Sequence, residues 1–584
     1  MTEAGLPDLG VAALTAAYRA GAVSPVEIAA QVHAAAVAHA EASSAWIELV
    51  DRDVLLARAR ELESRPPAPG DLPLYGVPVA VKDNIDVAGV PTTAACPSFA
   101  YVPVASAAAV RRLEAAGALV VGKTNLDQFA TGLVGTRSPY GACSSVFDAR
   151  RVAGGSSSGS AVVVADGLVS LALGTDTAGS GRVPAAFNGI TGVKPTRGLV
   201  PTTGVVPACR SLDCVSVFAA DADGGRRALA VLAGPDAADP QSRRPPGPVG
   251  RPAGAPLRIG VPRADQLDAP SAAAWARAID AAAAVADAIV EVDLEPFLQA
   301  GRMLYAGPWL AERYAAVGHH LDAPDVDPVV REVIRGGAGW SAADTFRAYE
   351  ALAALAAEAA AAWTAADVLL VPTTPSHPTH DEVAADPVGV NARLGTFSTF
   401  ANLLDLAAVA IPAGVRSDGL PFGVTLLGPA FFDAALLDLA GRWPDAGDVP
   451  VELAVCGAHM RGLALNGQLR ELGGRFARAA FTTPAYRLYA LPGGERPGLV
   501  RAPGGAPLEV EVWRLSAAAL GALLTRVPAP LAIGTVELSD GTAPHGFLCE
   551  AYSVGDAEDI TVHGGWRAFL TMQERAAAAR SPAT

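Results

Sequence analysis

Only three lysines, Lys82, Lys123 and Lys194, stand among the 44 lysines and arginines of the 584-residue chain. Arginine keeps its proton at any working pH, whereas a buried lysine can lose it and act as a base. A lysine retained in so arginine-rich a chain can mark a place where arginine is chemically unfit. Gly154–Ser160 reads GGSSSGS, and Gly174–Pro184 reads GTDTAGSGRVP. A Gly/Ser run on its own is more often a flexible linker. Here an apolar stretch, Ala161–Leu173, joins the two segments, and a linker is out of place inside a core. The better reading is two tight turns that present serine hydroxyls and main-chain N–H groups, with glycine where backbone and substrate approach closely. Successive N–H groups around Thr177, Ala178, Gly179 and Ser180 suit an anion-binding nest, which in acyl transfer is an oxyanion hole.

The ordered succession of Lys82, GGSSSGS and Gly174–Gly198 (GTDTAGSGRVPAAFNGITGVKPTRG) resembles the amidase signature family over residues 10–440. The resemblance implies a triad in which Lys82 is the base, Ser156 the bridging serine behind a cis peptide bond, and Ser180 the nucleophile. It also implies an oxyanion hole built from the backbone N–H groups of Thr177 through Ser180. Ala178 replaces the family's commonest glycine, a change that leaves the main-chain donor in place. The chemistry agrees: a serine hydroxyl is a poor nucleophile until a base takes its proton. None of the nine histidines lies near these segments, so a lysine made neutral by burial must serve. Ser157 and Ser158 read as hydrogen-bonding turn residues. Lys123 and Lys194 read as structural, paired with carboxylates or carbonyls, and Asp176 and Arg182 as braces of the nucleophile loop.

In LYAGPWLAER, Tyr305 and Arg313 are eight residues apart, about two turns, so they share a face if the segment is one helix. Read alone, they are a core tyrosine and a solvated arginine. The segment resembles the GPWxAER stretch of allophanate hydrolases, which implies that the pair holds a substrate carboxylate. A guanidinium fork suits that task, and a phenol adds a directed donor. The tail, with VCGAHMRGLALNGQL, PAYRLYALPG and HGFLCEAY, is similar to the C-terminal domain of the same hydrolases, which has a γ-glutamylcyclotransferase-like fold. That likeness implies a part for His459 in a second step; Tyr486 and Glu550 are candidates to line the same pocket, with a structural role for Glu550 equally open. Read alone, His459 is an edge histidine capping a turn. Taken together, the resemblances imply hydrolysis of the terminal amide of allophanate to ammonia and N-carboxycarbamate, which decarboxylates. They imply a homodimer, a functional link to urea carboxylase, and no metal or organic cofactor. The one metal-like cluster in the sequence is His377-Pro378-Thr379-His380-Asp381, and a metal role for it is disfavoured. Two other readings stay open: a broader amidase or a component of an amidotransferase of the A type, and a non-catalytic scaffold on the amidase fold.

The rest of the chain has to hold these residues in place. Hydrophobic residues make up 51% and charged residues 18%, a balance that excludes a disordered chain. A net charge of −15 disfavours general nucleic-acid or anionic-membrane binding. Six cysteines without a CxxC make no disulfide framework and fit a reduced, cytoplasmic compartment. Met1–Gly10 lacks a basic flank and an apolar core, so no signal peptide is expected.

Residues 11–64 read as helices, with Ser24 as an N-cap and Pro25 at the first helical position. Leu74–Val81, Ala118–Val121, Leu168–Leu173, Gly198–Val206, Leu257–Pro262, Val368–Pro372 and Ala407–Pro412 read as short strand-type runs. Ala-rich helices alternate with them at Ser106–Ala116, Ala161–Leu173, Ser271–Ala286, Ala342–Ala366 and Ala434–Arg442. The pattern predicts an α/β class, a large mixed sheet with helices on both faces. Pro235–Pro256 reads as a loop. The Pro/Gly/Asp stretch Trp443–Pro450 divides residues 1–443, the catalytic domain, from residues 451–584, a small α+β or barrel-like C-terminal domain richer in strand-type runs.

Overall fold

The computed structural model describes residues 6–64, 71–247, 255–444, 451–472, 474–493, 496–515 and 517–580. The chain separates into two compact units, Met1–Trp443 and Pro444–Thr584. In the first unit the short apolar runs become β1 (Trp46–Leu49), β2 (Pro78–Lys82), β3 (Leu119–Thr124), β4 (Ser144–Ser145), β5 (Asp148–Val152), β6 (Leu171–Asp176), β7 (Thr191–Lys194), β8 (Cys214–Ala219), β9 (Arg258–Val261), β10 (Ala288–Glu291), β11 (Val368–Pro372), β12 (Ala407–Val415) and β13 (Pro421–Gly428). β4 and β5 pair with each other. The other eleven form one sheet in the order β1-β3-β2-β6-β8-β7-β12-β13-β11-β9-β10. The sheet is mixed: β3, β2 and β6 run parallel, whereas β6 and β8 are antiparallel.

Side chains alternate across a strand, so β2 (PVAVK) feeds both faces. Val79 and Val81 join one core cluster with Leu171, Leu173 and Val215. Ala80 joins another with Ala172, Phe218, and Val162 and Val163 of the helix Ser158–Ala165. Burial on both faces explains why β2 and β6 read as continuous apolar runs rather than alternating ones. It also means that a polar residue ending such a strand is carried into the interior. Lys82 closes β2 and Asp176 closes β6. Because the two strands are parallel neighbours, both residues lie together at the carboxyl ends of the strands, the usual place for a site in such folds.

Several boundaries differ from the sequence reading. The N-cap at Ser24 is a full capping box with Glu27. The expected core helix Ala161–Leu173 is instead a helix over Ser158–Ala165, a turn, and strand β6. A helix-versus-strand choice inside one apolar run cannot be made from periodicity. Gly198–Val206 carries no strand beyond a single bridge from Val205 to Ile85. Residues 11–64 include an edge strand, β1, and Ala342–Ala366 breaks after Ala359. Among the described residues, no helix is long and apolar enough to cross a membrane.

The second unit contains β14 (Val451–Val455), β15 (Arg475–Phe481), β16 (Tyr486–Ala490), β17 (Pro497–Arg501), β18 (Glu509–Leu515), β19 (Leu531–Thr535), β20 (His545–Cys549) and β21 (Glu558–Asp559). They form a five-stranded sheet, β15-β18-β14-β20-β19, and a three-stranded sheet, β17-β16-β21. Tyr486, Leu488, Val510, Val512, Trp566 and Phe569 pack in its core.

Candidate active site

Lys82 has no exposed surface and, among the described residues, no salt bridge. Its Nζ lies 2.8 Å from Ser156 Oγ and 2.7 Å from Thr175 Oγ1, a hydrogen bond to each. Burial without a paired carboxylate disfavours the ammonium. It pulls Lys82 down to about 7, against the opposing pull of Asp127, Asp176 and Asp213, and Arg313 lowers it further. The Gly155–Ser156 peptide bond is cis. A Cβ on Gly155 would stand 2.0 Å from Asp127 Oδ2, so glycine is required there. Asp127 itself accepts the N–H groups of Val134, Gly135 and Arg137, and its own N–H donates to the Ser156 carbonyl. The Ser157 hydroxyl bonds the Thr175 carbonyl and Ser158 that of Asn125.

The loop after β6 is held from below. Arg182 Nε and Nη2 donate to the two oxygens of Asp176, each at 2.9 Å, with both side chains fully buried. Asp176 also accepts the N–H groups of Gly179 and Gly181. Gly179 has φ +130°, and a Cβ there would meet Ser398 Oγ at 2.3 Å. The Gly179 N–H is therefore turned to Asp176 and away from the expected hole. The N–H groups of Thr177, Ala178 and Ser180 have no partner among the described residues. Ser180 is 3% exposed, and its hydroxyl makes no hydrogen bond among the described residues. Lys82 and Ser156 are thus in contact, whereas Ser180 bonds neither. Such bonds are often open in unliganded enzymes and tighten with substrate. Breaking the brace should be costly, because it leaves Asp176 buried and uncompensated. Arg182→Ala is expected to destabilise the chain by about 3–5 kcal/mol in a denaturant melt. An unchanged midpoint would refute the bracing role.

Tyr305 and Arg313 are brought together, but not on one helix. Gly307 and Pro308 interrupt the segment, placing Tyr305 in the helix Glu295–Ala306 and Arg313 in the helix Trp309–Val317. The Arg313 guanidinium lies 5.7 Å from the centre of the Tyr305 ring. Arg313 is 2% exposed. Its Nη1 donates to Thr131 Oγ1 at 3.0 Å and to the Ala130 carbonyl at 3.4 Å. Nε and Nη2, the other edge of the fork, are buried and have no hydrogen-bond partner among the described residues. An unpaired buried donor pair is costly, and its geometry matches a bidentate carboxylate.

The remaining expectations divide. Lys123 pairs with Asp83 at 3.0 Å, and Lys194 donates to the Pro195 carbonyl. In the second unit His459 stacks on Phe547 and bonds Gln468 Oε1 at 3.2 Å, and burial lowers its pKa. It lines a cavity of about 160 Å³ with Cys456, Gln468, Arg496, Arg526 and Phe547. Tyr486 and Glu550 are not part of it: Tyr486 is in the core, and Glu550 is exposed after β20. His377 stacks on Phe187 and bonds the Val152 carbonyl, and His380 bonds Ser144. Among the described residues, Cys96, His320 and Asp325 are grouped closely enough to hold a metal ion. The Ser98 hydroxyl already bonds His320 and Asp325.

Sequence reasoning passed over Thr175, Asn84, Asp127, Asp213 and Thr131. Thr175 was within view, inside GTDTAGS, but its contact with Lys82 depends on strand pairing. Asp213 accepts from Thr177 Oγ1 and from the N–H groups of Ala208 and Cys209. Burial raises its pKa.

The amidase family matches residues 27–437, and the allophanate hydrolase C-terminal domain matches residues 451–571. Urea amidolyase of Saccharomyces cerevisiae is 42% identical over 582 residues, covering 92% of this chain and 32% of that protein. Urea amidolyase of Lachancea kluyveri is 42% identical over 575 residues, covering 90% of this chain and 31% of that protein. The chain thus spans about a third of the length of the urea amidolyases it matches. The solved allophanate hydrolase of Kluyveromyces lactis superposes with a TM-score of 0.69 at 39% identity, covering 97% of this chain and 99% of that one. With the greater part of its length matched, and with Lys82, Ser156 and Ser180 inside the matched region, the chain belongs to the amidase family.

Proposed function

We propose that the chain is an amidohydrolase that cleaves the terminal amide of allophanate through Lys82, Ser156 and Ser180. One observation carries the reading: a fully buried lysine, with no carboxylate partner among the described residues, is hydrogen-bonded to Ser156. The neutral Lys82 amine takes a proton from Ser156, which takes one from Ser180. Ser180 Oγ attacks the terminal amide carbonyl. The developing oxyanion is held by N–H groups of Thr177, Ala178 and Ser180. The C–N bond then breaks, and ammonia leaves with the proton returned through Ser156. Water hydrolyses the resulting ester by the same relay, freeing Ser180 and N-carboxycarbamate, which decarboxylates to further ammonia and CO2. The substrate carboxylate lies on Arg313 Nε and Nη2, beside the Tyr305 phenol.

The C-terminal cavity is the proposed place of the decarboxylation, with His459 among its walls. The full urea amidolyases are about three times the length of this chain, and the substrate here is a carboxylated urea. We therefore assign the chain a functional link to a urea-carboxylating enzyme; a homodimeric state is proposed on the family resemblance alone.

A screen of ammonia release from allophanate, malonamate, biuret and simple amides tests the substrate. Allophanate should be favoured by kcat/KM, and equal turnover of neutral amides would overturn the assignment. The base imposes a pH dependence of known sign. Activity needs the neutral amine, so kcat/KM should rise as pH passes about 7 and level off above it. A profile that is flat from pH 5.5 to 8.5 would contradict a lysine base.

A further inference from the structure

We infer that Thr175, steadied by Asn84, is the positioning residue that aims the Lys82 amine at Ser156. Lys82 Nζ has two hydrogen-bond partners among the described residues, Ser156 Oγ and Thr175 Oγ1. A neutral amine has two N–H groups and one lone pair. With one N–H donated to Thr175, the lone pair can face the Ser156 hydroxyl. An ammonium has three N–H groups, and among the described residues the same two oxygens are all that it is offered. Thr175 is itself pinned. Asn84 Nδ2 donates to Thr175 Oγ1 at 3.3 Å and to the Val206 carbonyl at 3.4 Å. Ser157 Oγ accepts the Thr175 N–H and donates to the Thr175 carbonyl. A hydroxyl clamped on both main chain and side chain gives the mobile end of a lysine one direction.

This assignment rests on Lys82 being the base. The charged groups around Lys82 are Asp127, Asp176, Asp213 and Arg313. Backbone donors hold Asp127, Arg182 holds Asp176, Thr177 and two N–H groups hold Asp213, and Thr131 holds Arg313. None of these partners is Thr175, so removing its hydroxyl leaves the surrounding charges in place. The ammonium loses one of its two acceptors and becomes less favourable, while the amine loses its fixed direction.

The test is the rate at which a fluorophosphonate labels Ser180 in the full chain between pH 5 and 10. Wild type should show an acid limb near 7 that Lys82→Ala removes together with the labelling. Thr175→Val should move the limb down by about one pH unit and slow the plateau about tenfold. Thr175→Ser should restore both. A Thr175→Val limb and plateau matching wild type, or a Thr175→Ser variant as slow as Thr175→Val, overturns the assignment while leaving the base intact. A wild type with no limb, or a Lys82→Ala chain labelled normally, overturns the base and the assignment together. If Thr175→Val lacks a native near-ultraviolet dichroism signal, Asn84→Ala carries the test, with a slower plateau expected and an unchanged one refuting it.

Discussion

Lys82→Ala is expected to cut ammonia release from allophanate by about 10⁴-fold or more, and Ser180→Ala to do the same. In the proposed relay the two side chains act through one proton path, so their effects should not add. The double variant should be no slower than the worse single one. Lys82→Arg should fail as completely as Lys82→Ala, because a guanidinium cannot be deprotonated at working pH. That comparison separates loss of a base from loss of a positive charge. Lys82 is buried beside Thr175 and Ser156, so thermal melts should accompany the kinetics. Near-wild-type turnover in Lys82→Ala or Ser180→Ala, measured as ammonia per enzyme per second, would reject the triad.

Arg313→Ala should abolish discrimination rather than chemistry. The Nε and Nη2 edge, without a hydrogen-bond partner among the described residues, matches one carboxylate in geometry, and removing one partner of a buried charge-assisted pair costs about 2–5 kcal/mol. KM for allophanate and malonamate should therefore rise about 100-fold or more. Neutral amides should be nearly unaffected once pH is held well above the acid limb. That condition matters because Arg313 lowers the Lys82 pKa. Without Arg313 the limb should move to higher pH. Arg313→Lys should recover little, since a point charge cannot reproduce the fork. An equal loss on charged and neutral substrates would remove the assigned role.

The parts of the site that were legible in sequence are those whose chemistry is local. Lys82 stands out because arginine replaces lysine almost everywhere else, and GGSSSGS and GTDTAGSG announce turns by composition. The brace from Asp176 to Arg182 spans six residues and was foreseeable. Thr175 and Asn84 were not, because their contacts cross 91–93 positions and exist only through parallel pairing of β2 with β6. The free edge of Arg313 was equally hidden, since it depends on Thr131 occupying the opposite edge. In the fold, apolar runs located the central strands but could not divide Ala161–Leu173 between helix and strand. The edge strand β1, only four residues long, left no periodic signal. Tyr486 was misplaced because an inward-facing strand aromatic and a pocket aromatic look alike in a string of letters.

The central claim is that a neutral Lys82, acting through Ser156, arms Ser180. Peptide mapping by mass spectrometry after brief fluorophosphonate treatment addresses it most directly. The account predicts a single adduct on Ser180 in the native chain and none, over the same interval, in Lys82→Ala or Ser156→Ala. An adduct on any other residue, or undiminished modification of Ser180 in Lys82→Ala, would contradict it.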